Sequence, residues 1–390
     1  MANAIYAALP TTIFTVMSGL AREHGAINLG QGFPDEPGPL AIRQAAAEAV
    51  INGDNQYPPM AGLPELREAV ARHYARFQGL DLDWRAEVTV TSGGTEALAC
   101  AFLALIEPGD EVILFAPLYD AYAPMVRRSG GIPRIVRLEP PLWRFDRAML
   151  EAAFTPRTRL VVLNNPLNPT ATVCPEEDLA LLAKFCVRYD AIAVCDEVWE
   201  QVVFAPHKHR PLIGFPGMRE RCVKIGSAGK MFALTGWKVG FLIAAPALTS
   251  VLAKAHQFLT FTTAPNLQAA VAWGLGHSDD WFAAMPADLA ASRDHLSDAL
   301  RREGFAPLPS QGTYFLNIDL IASGVAEDDM SFCLRSVKEA GVAAIPVSAF
   351  YETDPVTGVM RLCFAKRGQT LEAGAQRLAK ARDLSRKARG

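Results

Sequence analysis

Val88-Thr89-Val90-Thr91-Ser92-Gly93-Gly94-Thr95-Glu96-Ala97-Leu98 joins a β-branched run to a glycine pair and then to an apolar, helix-forming segment. Valine and threonine suit an extended strand, glycines permit a tight turn, and alanine and leucine suit a helix. The stretch is therefore a strand–turn–helix unit. Outward from it the same alternation runs from about residue 60 to 245, with further strands expected at residues 111–115, 134–138, 159–163, 191–195, 222–226 and 239–244. Several of these runs are apolar almost throughout, as strands covered on both faces are. Amphipathic helices are expected between them. Leu63, Leu66, Val70, Tyr74 and Phe77 repeat at steps of three and four around Pro64, and Leu179, Leu182, Phe185 and Tyr189 do so after Pro175 and three acidic residues. The alternation predicts an α/β fold, with a mostly parallel sheet covered by helices. Beyond about residue 280 it gives way to a helical stretch (289–303), strands at 313–318 and 359–365, a helix near 329–341 and a last helix. That is the pattern of a smaller α+β domain.

Of the 390 residues, half are hydrophobic and a fifth charged, with 38 basic against 41 acidic side chains and a formal charge of −3. This balance excludes a disordered, collagen-like or coiled-coil chain. There is no basic stripe of the kind nucleic acid or an anionic membrane requires. No apolar run reaches the roughly 18 residues of a spanning helix. No positive residue precedes Arg22, which argues against a secretory leader. Cys100, Cys174, Cys186, Cys195, Cys222, Cys333 and Cys363 are dispersed without a C-x-x-C pair and read as reduced thiols of a cytoplasmic protein. His207 and His209 sit in a proline-bordered loop without further ligands, so no metal site is expected.

Four strand ends carry the chemistry. After the first strand, Gly93 and Gly94 open a helix whose unpaired N–H groups suit a phosphate; an ordinary turn capped by Ser92 is the alternative. Asn164-Asn165-Pro166-Leu167-Asn168-Pro169-Thr170 ends a second, where two X-Pro steps predict an extended, rigid loop that holds the Asn168 amide, or else a polar turn. Asp196-Glu197 ends a third and sets a carboxylate in the crevice where α/β proteins bind ligands, unless Asp196 is only a helix cap. Ser227-Ala228-Gly229-Lys230 follows a fourth, and Lys230 is either a solvated lysine or a reactive amine. Ser-x-x-Lys also occurs in penicillin-binding proteins, but their S-D-N and K-T-G partners are absent. A phosphate cradle, an amide, a buried acid and a lysine together fit one ligand, pyridoxal phosphate.

With Ile27-Asn-Leu-Gly-Gln-Gly-Phe-Pro-Asp35, Asn55-Gln-Tyr57, Asp196-Glu-Val198, Thr235-Gly-Trp-Lys238 and Arg361-Leu-Cys-Phe-Ala-Lys366, the chain resembles, almost end to end, the fold-type-I pyridoxal-phosphate aminotransferases of class I/II. It is nearest their methionine aminotransferase and kynurenine/glutamine transaminase branch. The resemblance implies a large cofactor-binding domain (45–280) and a small domain made of 1–44 with 281–390. It implies Lys230 as Schiff-base lysine and proton carrier, Asp196 on the pyridinium nitrogen and Asn168 on the ring oxygen O3′. Gly93, Gly94, Thr95, Ser227 and Lys238 would hold the phosphate, joined by Tyr57 from the neighbouring subunit of a homodimer. Tyr119 and Val198 would cover the two ring faces, Arg361 would clamp the substrate α-carboxylate, and Gly32 would let the N-terminal segment close near it.

Two positions depart from the family pattern. Ala171 replaces a usual glycine, as in methionine aminotransferases. Trp199 replaces a tyrosine whose hydroxyl donates to O3′, so the Schiff base should have a higher pKa than in a tyrosine variant. Phe14, Tyr57, Tyr119, Trp199 and Phe350, all in segments the family places near the site, favour large apolar substrates. The implied activity is transfer of an amino group from methionine, an aromatic or a kynurenine-like amino acid to a 2-oxo acid. The alternatives are a cysteine-conjugate β-lyase on the same fold, or a transaminase for another amine such as one of the diaminopimelate pathway.

Overall fold

The computed structural model describes residues 2–387. Seven strands form the main sheet: β1 Val88–Thr91, β2 Glu111–Ala116, β3 Ile132–Arg137, β4 Thr158–Asn164, β5 Ile192–Asp196, β6 Cys222–Ser227 and β7 Gly240–Ala244. They lie in the order β1-β7-β6-β5-β4-β2-β3, and β7 alone runs against its neighbours. Alternate side chains enter opposite cores: Val161, Leu163, Ala193 and Cys195 face one, Leu160, Val162, Ile192 and Val194 the other. Pro64–Gln78 and Glu176–Tyr189 cover the first face; Gly93–Leu105 and Pro246–Leu259 cover the second. Pro64–Gln78 starts on its proline and ends at Gly79, whose φ of 67° closes the helix.

Two connections lack the expected helix. Between β5 and β6 there are only the short turns Leu212–Gly214 and Arg219–Arg221, and between β6 and β7 the longest helix is Ala228–Met231. Pro206, Pro211 and Pro216 interrupt the first connection. It runs instead against the segment that precedes Phe315–Asp319, where Val203 bridges Gly312.

That sheet is antiparallel, in the order Ile345–Pro346, Val359–Cys363, Phe315–Asp319, Ala306–Pro307. Its core takes in Met17, Ala21 and Leu29 from the N-terminal part, and Ile27–Asn28 pairs with Val342–Ala343. The helix expected from residue 289 begins earlier, at Asp279, and runs through Pro286 to Arg302. An acidic first turn and the burial of Phe282 and Met285 outweigh that proline.

Candidate active site

The carboxyl ends of β1, β4, β5 and β6 share one edge of the sheet, and β7, being reversed, brings its amino end to them. A cavity of about 230 Å³ lies there. Gly93, Gly94, Thr95, Tyr119, Asn168, Asp196, Val198, Trp199, Ser227, Lys230 and Lys238 line it, from segments spread between residues 93 and 238.

At one end the glycine turn meets Lys238. Gly93 has φ of 77°, and a Cβ on it would stand 3.2 Å from Lys238 Nζ. A Cβ on Gly240, at the start of β7, would come within 2.7 Å of the Gly93 carbonyl carbon. Both glycines are thus required for the helix end and the lysine to meet. Ser92 does not cap the helix through its side chain: its Oγ meets Thr263 Oγ1 at 3.1 Å, and its N–H donates to Glu96 Oε2 at 2.8 Å. The N-terminal donors of Gly93–Leu105 therefore face the cavity without a side-chain cap.

Asp196 forms the wall. Tyr122 Oη donates to Oδ2 at 2.5 Å, while Oδ1 is buried with no partner. Burial pushes the Asp196 pKa up, against the hydrogen bond from Tyr122. A buried carboxylate with one open oxygen calls for a cationic or N–H partner from the cavity. Asn164 supports the wall: its Nδ2 donates to the Asp196 carbonyl at 2.8 Å and its Oδ1 accepts from the Asn168 N–H at 2.8 Å. The loop after Asn164 is not extended as predicted. Leu167 and Thr172 bridge, and Ala171 N–H donates back to Leu167. Gln311 Oε1 accepts from the Val173 N–H at 2.7 Å and holds the loop closed; the bonds before Pro166 and Pro169 are both cis. Ala171 has φ of 62°, the left-handed region that glycine favours.

Lys230 sits on Ala228–Met231 with Nζ 4.5 Å from the Trp199 ring. Burial foremost pushes its pKa down to about 8, with Arg361 and Lys238 adding to the effect and Asp196 opposing it. Trp199 is wedged edge-on against Tyr314 and Phe315, at 4.7 and 5.5 Å.

Arg361, on Val359–Cys363, is 1 % exposed. Nη1 donates to Asn168 Oδ1 at 2.6 Å, Nη2 donates to the Gly30 carbonyl at 2.9 Å, and Nε has no partner. Phe315 lies 3.9 Å from the guanidinium, Phe14 and Phe350 each 5.3 Å. Burial lowers the Arg361 pKa to about 9. No carboxylate among the described residues pairs with it. A Cβ on Gly32 would stand 2.5 Å from Phe315 Cζ, so only glycine lets this segment lie against the ring. Tyr57 is elsewhere: it is 84 % exposed, outside the cavity of its own chain, with its ring edge-on to Phe261 at 5.7 Å.

Sequence reasoning missed Tyr122 and Asn164. Tyr122 stands three residues after Tyr119, a spacing visible in the sequence, whereas the register of Asn164 with Asp196 is set only in the folded sheet.

The residues present fit pyridoxal phosphate. The glycine turn beside Lys238 suits its phosphate, the open Asp196 Oδ1 its ring N–H, and the partly neutral Lys230 its aldehyde.

A family model described as aminotransferase class I and II matches residues 24–378. The chain is 43% identical over 370 residues to a methionine aminotransferase of Escherichia coli, covering 95% of this chain and 96% of that one. It is also 43% identical over 381 residues to a probable N-succinyldiaminopimelate aminotransferase of Mycobacterium tuberculosis, covering 94% and 95%. Human kynurenine–oxoglutarate transaminase 1 is 37% identical, with 93% of each chain covered. A crystal structure from Escherichia coli, described with a methionine aminotransferase function, superposes with a TM-score of 0.94 at 42% identity, over 97% of this chain and 99% of that one.

Proposed function

The chain belongs to the class I and II aminotransferases and depends on pyridoxal phosphate; from that premise we propose that it moves the α-amino group of methionine, or of an aromatic or kynurenine-like amino acid, to a 2-oxo acid. Arg361 carries this reading. A buried guanidinium without a carboxylate partner would take the substrate α-carboxylate through paired N–H···O bonds. The rings of Phe14, Phe315 and Phe350 around it favour an apolar side chain.

When bound, pyridoxal phosphate supplies an electrophilic carbon for the amine and an electron sink for the Cα–H bond. Gly93, Gly94, Thr95, Ser227 and Lys238 would hold its phosphate, Asp196 its ring nitrogen and Asn168 its ring oxygen. Tyr119 and Val198 would cover the two faces, with Trp199 below Lys230. Lys230 would carry the cofactor at rest. Its Nζ, with a pKa of about 8, would be half neutral at that pH and in that form would take the proton from the substrate Cα.

The enzyme is further read as a cytoplasmic homodimer, with a large domain of residues 45–280 and a small domain of 1–44 and 281–390. Tyr57, Ile51, Phe258 and Phe261 are exposed apolar side chains, which supports a partner covering them and Tyr57 reaching the neighbouring site. All seven cysteines are free, and no helix among the described residues is long and apolar enough to cross a membrane. A second reading, an N-succinylated diamino acid as substrate, has support from the Mycobacterium tuberculosis relative, whose identity to this chain equals that of the methionine enzyme.

The test is the visible spectrum of the purified holoenzyme as methionine, phenylalanine, kynurenine, glutamate and N-succinyldiaminopimelate are added in turn. The yellow band is expected to bleach with the apolar donors and return with a 2-oxo acid. Bleaching by glutamate alone would overturn the apolar reading, and bleaching by the succinylated donor alone would select the second. Pyruvate released from a cysteine conjugate under a persistent band would indicate the lyase instead.

A further inference from the structure

We propose that His256 is a positioning residue for the cofactor phosphate: as an imidazolium it neutralises Glu96 beside the Gly93–Thr95 turn and ties that turn to the segment carrying Tyr57. The inference rests on reading this turn as the phosphate cup.

Glu96 is an awkward residue to find there. It lies in the first turn of Gly93–Leu105, is 8 % exposed, and its Oε2 accepts from Ser92 N–H, the amide just before the cup. An uncompensated carboxylate so placed would compete with a phosphate dianion for the positive helix end and repel it. Its other oxygen, Oε1, meets His256 Nδ1 at 2.9 Å and accepts from Cys100 Sγ at 2.8 Å.

His256 is fully buried on Pro246–Leu259. Its Nδ1 faces Glu96 Oε1, and its Nε2 faces the Met60 carbonyl at 2.9 Å. A carbonyl only accepts, and Glu96, already taking hydrogen bonds from Ser92 and Cys100, acts as an acceptor too. Both ring nitrogens therefore carry hydrogen, which is the imidazolium form. Burial alone would lower the His256 pKa, but the hydrogen bond and charge of Glu96 outweigh it and raise the value. Burial alone would likewise raise Glu96, and the bonds from His256 and Cys100 hold it below the ordinary carboxylate value. The pair is thus neutral as a unit.

The same ring spans two segments. Met60 follows Tyr57 in the loop, Thr262 Oγ1 donates to Pro59, and Ser92 Oγ meets Thr263 Oγ1. Through His256 the phosphate turn and the loop bearing Tyr57 share one support.

The test compares dissociation constants of pyridoxal phosphate and of pyridoxal from the apo-form of the full chain, measured by absorbance or fluorescence. Their ratio reports the phosphate alone. His256→Gln removes the charge; it is expected to weaken pyridoxal phosphate roughly tenfold, the scale of one uncompensated charge at intermediate dielectric, with little change for pyridoxal. Glu96→Gln combined with His256→Gln should recover most of the ratio, which a purely structural role for His256 would not do. An unchanged ratio in His256→Gln, or no recovery in the double variant, would overturn the proposal. If His256→Gln fails to fold, Glu96→Gln alone decides: a preference for pyridoxal phosphate over pyridoxal at or above that of the parent chain supports the proposal, and a weaker preference sinks it. Equal affinities for the two ligands in the parent chain would instead overturn the phosphate cup itself, and the proposal with it.

Discussion

Asp196 and Glu197 adjoin at the end of β5, and Lys224 and Lys230 lie on β6 and the turn after it, yet the two acid–lysine sets end up in opposite states. Lys224 is fully buried; its Nζ donates to Glu197 Oε2 at 2.5 Å and also to Glu200 Oε2. Glu200 accepts besides from Tyr74 Oη and Gln78 Nε2, each at 2.6 Å, and Glu197 Oε1 accepts from the Leu212 N–H. Burial would lower the Lys224 pKa, but the two glutamates outweigh it and hold the ammonium charged. Asp196 keeps one oxygen open, and Lys230 has no carboxylate within ion-pair distance among the described residues. Even the rings match: Tyr74 lies 4.7 Å from Lys224 Nζ and Trp199 4.5 Å from Lys230 Nζ. What separates structure from chemistry is whether the buried charge has its partners inside the protein or must find them in a ligand.

The sharpest way to break this contrast is to remove each lysine. Lys230→Ala should lower kcat by at least the ~10²–10⁴-fold worth of a positioned proton carrier, with the urea unfolding midpoint unchanged. Lys224→Met should do the reverse, costing about 3–5 kcal/mol in urea unfolding because two buried carboxylates lose their cation, while the folded fraction keeps its turnover. A stable but inactive Lys224→Met would show that the pair belongs to the catalytic apparatus after all.

A finer distinction lies in proton affinity. Lys230 is depressed to about 8, so capture of pyridoxal phosphate by the apo-chain should climb with pH and level off above about 8, well before an ordinary lysine would. Arg361→Met removes a like charge and should move that bend upward; a bend that stays put would remove Arg361 from the account. The smallest effect is expected at Trp199→Tyr. A hydroxyl that donates to the cofactor ring oxygen favours its deprotonated form, so the visible band of the holoenzyme should titrate at lower pH in the variant. Coincident curves, or a shift the other way, would mean the indole already serves that oxygen equally well.

Much of this was legible from local pattern. Apolar β-branched runs marked the inner strands, because a strand buried on both faces has few other ways to be written, whereas the edge strand Ile132–Arg137 is half exposed and carries Pro133, Arg134 and Arg137. Strand-end residues such as Gly93, Asn168, Asp196 and Lys230 announced a ligand edge for the same reason. The loop after Asn164 closes rather than extends because Asn164 Oδ1 holds the Asn168 N–H and Gln311, 138 residues away, holds the Val173 N–H. The missing helix between β5 and β6 was misread because that stretch is shaped by the distant residues Gln311 and Gly312.

The sequence by itself determined the strand–helix alternation, the family and the chemical types gathered at the sheet edge, since each is written in contiguous residues. Only the tertiary structure decided that Glu197 turns away to Lys224, that reversed β7 sets Lys238 against Gly93, and that Tyr122, Arg361 and His256 find partners 74, 193 and 160 residues away in the chain. Successive side chains leave a strand on opposite faces, and a charge becomes structural or reactive according to what packs around it; neither is a property of the residue alone.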